Sequence, residues 1–311
     1  MPPLPPPPAL EQRADPAGKL NRLVDDVRSL PFSTLFPLHE WLKDQPWNLL
    51  WVRWFAFFAL YPLALRVLWG NGVELERTAW AFGLYFALIW GLLLNLCLRP
   101  GKVGAQRVAI VGGFTAFLGI NLLLLVQKLP VISELYRATE SASFLGQMIG
   151  YVLGVGILEE GVKALPLYWL FIHLRKPTTV REASYLGTVS GLAFGVAEAV
   201  WYSILYVVWR QQGWLGDADY VAVQLLRFIT LPLLHALWAG ILGYFIGLAA
   251  NFRHRAHALV IVGWAAVAML HGLYDALPPL PGLGVTLVTF LLFIGYSRSA
   301  EKMVERMQVA V

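Results

Sequence analysis

Six ionisable side chains lie in stretches of this chain that are otherwise apolar: Glu159, Glu160, Glu198, His235, His271 and Asp275. Carboxylates and imidazoles exchange protons near neutral pH and ligate divalent metals. Spacing brings some of them together. His271 and Asp275 are four residues apart on one helical face, so the carboxylate can fix the tautomer and orientation of the ring. Glu159 and Lys163 are likewise four apart. Glu160 is rotated about 100° from Glu159, so the two glutamates cannot point the same way. One of them then faces a cavity, and the other takes Lys163 or a neighbouring helix. Such a set suits activation of water, a proton relay or a metal site.

The elements that position these groups follow from composition. Of 311 residues, 58% are hydrophobic and only 14% charged, about half the charged share of a soluble domain. Mean hydropathy is +0.61. This excludes a disordered chain, a collagen-like chain, a coiled coil and an ordinary cytosolic domain. It leaves an all-α polytopic integral membrane bundle, because the apolar blocks reach the ~20 residues that cross a ~30 Å hydrocarbon core. Eight membrane-spanning helices are expected, near 47–69, 79–98, 105–126, 145–172, 183–209, 221–249, 258–277 and 281–297. The fourth and sixth are long and contain Pro166 and Pro232, which are expected to kink them. With eight spans and a cytoplasmic N-terminus, sixteen Lys and Arg fall inside and four (Arg77, Lys128, Arg137, Arg210) outside. That asymmetry places both termini in the cytoplasm.

The chain divides accordingly. Residues 1–46 read as a Pro-rich, mostly flexible cytoplasmic tail with a short surface helix near 20–30 and no signal peptide. Residues 47–126 supply three N-terminal spans, 145–280 a four-helix core carrying the six groups, and 281–311 the last span and a short basic tail. The net charge is +5, but the basic residues are spread over short loops, which excludes nucleic acid as a partner and leaves the lipid bilayer. Cys97 is the single cysteine and reads as a buried packing thiol. Glycines four apart, as in Gly150/Gly154, Gly187/Gly191/Gly195 and Gly243/Gly247, indicate close helix contact.

A charge at the bilayer centre costs roughly 2.5–3.5 kcal/mol on insertion scales, so each one asks for a reason. Arg53 and Arg66 lie near span ends and can snorkel. The middle four spans contribute nearly all of the other ionisable groups. At 1.5 Å rise per residue, all six groups fall within one slab in the outer half of the bilayer, which points to one shared polar cavity. Plainer readings exist for single residues. Glu159–Lys163 also reads as a structural ion pair, Arg227 as an interfacial cation or a partner of a site carboxylate, and His235 as a core histidine. The common depth is what those readings leave unexplained.

In motif form the chain reads Glu159-Glu160-Gly-Val-Lys163, Phe194-Gly-Val-Ala-Glu198 and His271-Gly-Leu-Tyr-Asp275, with Arg227 and His235 between the last two. This resembles the PrsW-type family of intramembrane proteases, with its Glu-Glu-x-x-Lys, Phe-x-x-x-Glu and His-x-x-x-Asp pattern, over roughly residues 145–280. That family is similar in turn to CAAX-prenyl proteases and bacteriocin-processing enzymes. The resemblance implies a glutamate-dependent peptidase in a bacterial cytoplasmic membrane, acting on membrane-anchored substrates such as single-pass anti-sigma-type factors. In the CAAX-type relatives a histidine of the second motif helps activate water. Here that position is Glu198, and His235 is the imidazole at hand.

Amide hydrolysis needs a base for water, a donor for the oxyanion and a proton for the leaving amine. On this reading Glu159 or Glu160 is the base, His271 the oxyanion donor and Asp275 its orienting partner. Glu198 and His235 position or acidify the water, with Lys163 and Arg227 in support. The same residues, Glu159, Glu160, Glu198, His235 and His271, could instead hold zinc with an open position for water. The His-Glu-x-x-His spacing of soluble zinc proteases is absent, so metal-free catalysis is the preferred expectation. A proton-coupled transporter or a binding scaffold is the rival class. No inverted repeat supports it.

Overall fold

A backbone in hydrocarbon must satisfy its own polar groups, which for a chain of this composition means helices. The computed structural model describes residues 16–30, 45–49, 89–98 and 103–309, with Lys43, Val52, Arg53, Ala56, Phe86 and Gly101 as single positions. Among the described residues every regular element is helical. The principal helices are α1 (Pro16–Arg28), α2 (Ile89–Leu98), α3 (Ala105–Val126), α4 (Pro130–Ala138), α5 (144–173), α6 (Val180–Gln211), α7 (Asp217–Asn251), α8 (Ala256–Ala276) and α9 (Pro279–Val309). Most of the expected first span, residues 79–85, 87 and 88 of the second and the Pro-rich stretch lie outside the described residues. The short helix expected near 20–30 is α1.

Among the described residues five helices are long and apolar enough to cross a membrane: α3, α6, α7, α8 with the short turn before it, and α9. The expected span 145–172 is α5, a helical run whose turns widen to π geometry at Gly150–Gly156 and Trp169–His173. Neither proline breaks its helix: α7 runs through Pro232, and the stretch containing Pro166 continues into the second π turn. The last helix extends beyond 297 to Val309, so the basic tail is part of it.

Helix α7 is the axis of the bundle. Of its most apolar window 94% is buried, as expected of a helix that is apolar all round. Helix α6 lies closest to it, through the predicted glycine stripe. A Cβ on Gly187 would come 2.2 Å from the Ala239 carbonyl oxygen, and one on Gly191 2.0 Å from that of His235. Only hydrogen fits at either place. Helix α5 meets α8 in the same way, Gly156 against Ala268 and Gly272 against Val152. Buried hydroxyls tie the layers: Thr115 of α3 bonds Ser190 of α6 at 2.7 Å, and Ser190 donates to the Lys163 carbonyl of α5 at 2.8 Å. These contacts hold α5, α6, α7 and α8 with their ionisable groups facing one another.

Candidate active site

Glu160 is fully buried and forms the floor of the cluster. Its Oε1 accepts from Lys163 Nζ at 2.7 Å and from His271 Nδ1 at 2.8 Å. The close ion pair is therefore between residues three apart, because Lys163 bends toward Glu160 and leaves Glu159 Oε2 at 3.7 Å. Lys163 also donates to His235 Nδ1 at 2.5 Å and lies 4.3 Å from the centre of the Phe194 ring. A buried ammonium is tolerated here because a carboxylate, an imidazole lone pair and a π face share it.

Each imidazole is held from two sides. His235 Nε2 donates to Glu198 Oε2 at 2.7 Å, which leaves Nδ1 as the lone-pair nitrogen toward Lys163. His271 gives its Nδ1 proton to Glu160, and its Nε2 meets only carboxylate oxygens. That nitrogen faces Asp275 Oδ2 at 3.3 Å and Glu159 Oε2 at 3.8 Å. For His235 the partners fix the tautomer, one neighbour donating and one accepting, whereas His271 has acceptors on both sides. The His271 ring stacks on Trp238 at 4.3 Å, and Trp238 is itself anchored by a bond from its Nε1 to Thr289 of α9.

All six sequence-predicted residues thus converge, with Lys163 at their centre. Arg227 does not join them. Its Nε donates to the Tyr206 hydroxyl at 3.0 Å and its guanidinium covers the Tyr202 ring at 4.3 Å. No carboxylate forms an ion pair with it among the described residues. Glu198 and Asp275 are the most open members of the cluster, with side chains 16% and 25% exposed, so solvent reaches the cluster from their side. Sequence reasoning missed Trp238, whose place three residues after His235 was a usable signal, and gave Phe194 no role.

The donor chemistry suits a cation. Oxygen and nitrogen atoms of Glu159, His235 and His271 lie within 4.8 Å of one another. Glu159 Oε2 is buried with no hydrogen-bond partner. An imidazole nitrogen confronting two carboxylate oxygens, as His271 Nε2 does, needs a proton or a metal ion between them. Two imidazoles and a carboxylate are the donor set of many zinc peptidases.

One comparison bears on this arrangement. The family model described as PrsW family intramembrane metalloprotease matches residues 84–297, well over half of the chain. No curated protein and no solved structure matches. The matched region contains every residue of the cluster, and its description carries the metal that the sequence reading had placed second.

Proposed function

The chain belongs to the PrsW family of intramembrane metalloproteases, and from that premise we propose that it hydrolyses peptide bonds of membrane-anchored proteins with a divalent metal held by Glu159, His235 and His271. The observation that carries this reading is the convergence of those three donors from three helices within 4.8 Å. When bound, a zinc-like ion supplies a Lewis acid for the scissile carbonyl and a water that ionises near neutral pH.

The protein's own groups do the rest. Glu160 takes the Nδ1 proton of His271 and keeps Nε2 free to coordinate. Glu198 accepts from His235 Nε2 and so turns the Nδ1 lone pair toward Lys163, which must yield that nitrogen for His235 to coordinate. Asp275 and the Trp238 face hold the His271 ring in place. Glu198, on the open side, receives the proton that the attacking water loses and returns it to the departing amine. Lys163 balances Glu160, and the surrounding aromatic side chains exclude bulk water. On this reading the substrates are single-pass proteins such as anti-sigma-type factors, cut in the outer half of a bacterial cytoplasmic membrane.

A second reading rests on the unpartnered Glu159 Oε2: without metal, that oxygen is the base for water. Metal analysis of the purified protein separates the two. The first reading expects about one zinc per chain, lost in Glu159→Gln and His271→Ala. A wild type that is active without bound metal and indifferent to chelators contradicts it and leaves the second.

A further inference from the structure

Amide hydrolysis puts negative charge on the former carbonyl oxygen, and a preorganised donor must meet it. The hydrogen bonds of the cluster leave few candidates. Both nitrogens of His235 are engaged, by Lys163 and Glu198. Both nitrogens of His271 face carboxylates. Arg227 is eight residues, about 12 Å, from His235 along α7 and is bonded to Tyr206. The donor expected from sequence, His271, is therefore spoken for.

Tyr136 is not. It lies on α4, the short helix in the loop between α3 and α5, and its hydroxyl is buried without a hydrogen-bond partner. Its helix is seated against Gly150 and Gly154, in the stretch of α5 that leads into Glu159, and among charged groups the carboxylates of Glu159 and then Glu198 act on it most strongly. Burial pushes it above its ordinary value, so it stays protonated and able to donate. Gln127 lies near the same oxygen on the donor side without reaching hydrogen-bond distance.

The seating of α4 is specific as well. A Cβ on Gly150 would come 2.4 Å from the Thr139 nitrogen, and one on Gly154 3.1 Å from the Leu135 carbonyl. The first glycine pair of the sequence therefore docks this helix onto α5, one turn from Glu159. Together these observations mark α4 as part of the site.

We propose that Tyr136 is a catalytic residue whose phenol hydrogen-bonds the oxyanion formed from the scissile carbonyl. The inference rests on the peptidase reading above. Water oxygen adds to the carbonyl carbon, the C=O π pair moves to oxygen, and the Tyr136 proton is shared with that oxygen without leaving the phenol.

The test compares the initial rate at which wild-type-dependent protein termini appear in membranes of cells expressing, at equal levels, the wild type, Glu159→Gln, Tyr136→Phe or Tyr244→Phe. Tyr244 supplies the control, since its hydroxyl is also buried and unpartnered but lies away from the cluster. Loss of one oxyanion donor reduces turnover by roughly 10²–10³-fold. Tyr136→Phe should show that loss with an unchanged thermal midpoint in detergent, Tyr244→Phe should match the wild type, and p-aminophenylalanine at position 136 should restore part of the rate. Full activity of Tyr136→Phe beside an inactive Glu159→Gln overturns the role of Tyr136 alone, as does loss without rescue. Unchanged termini in Glu159→Gln overturn both this inference and the reading beneath it.

Discussion

At the scale of single residues, the cluster turns on which glutamate Lys163 chooses. Sequence spacing allowed either, because residues three and four apart are both neighbours on a helix. The structure pairs Lys163 with Glu160 and leaves Glu159 Oε2 open. That choice has consequences for stability. Removing the cation alone, Lys163→Met, strands a buried carboxylate and should lower stability by about 3–5 kcal/mol. The double variant Lys163→Met/Glu160→Gln should recover part of that loss in detergent thermal unfolding. His271→Ala should reduce peptidase activity by at least about 10²-fold while membrane insertion and expression stay at the wild-type level. The ionisable residues were legible because charge in an apolar run is costly. Trp238 and Tyr136 were not, because an aromatic residue in apolar surroundings is indistinguishable from packing until its partners are seen.

At the scale of elements, glycine does the positioning. Gly191 lets α6 touch the backbone of α7 at His235, and Gly156 and Gly272 bring α5 onto α8. The four-residue glycine spacing announced close contact, yet not which helices it joined. The Gly150/Gly154 pair could as well have joined two spans, and it seats the loop helix α4 instead. The π turns of α5 were also invisible, since no residue pattern marks them, and the one at Gly150–Gly156 ends just before Glu159. Gly191→Ala should destabilise the protein by about 1–3 kcal/mol through overpacking. Gly113→Ala, where nothing lies within 4 Å of the added carbon, should be close to neutral. Thermal midpoints of the two purified variants decide it.

For the whole molecule, apolar length located the helices from 105 onward within a few residues except at the end of the last, which runs past 297 to Val309, because hydrocarbon thickness sets the length of an apolar run and not of the helix that contains it. The expectation that the six groups share one depth came from the same arithmetic. What spacing alone could not give was lateral order, with α7 at the axis and α5, α6 and α8 around it, since that depends on contacts between distant segments. The basic-residue asymmetry predicts that cysteines placed at 137 and 210 react with an impermeant reagent from outside, and those at 175 and 298 only after permeabilisation.

Whether this cluster cuts peptide bonds is tested most directly by comparing protein termini across membranes of cells carrying the wild type or Glu159→Gln, a measurement that works for any membrane-anchored substrate. New termini should be found only with the wild type, close to the outer end of single-pass segments. Identical sets of termini from equally expressed, folded proteins would contradict the peptidase role and return the cluster to transport or binding.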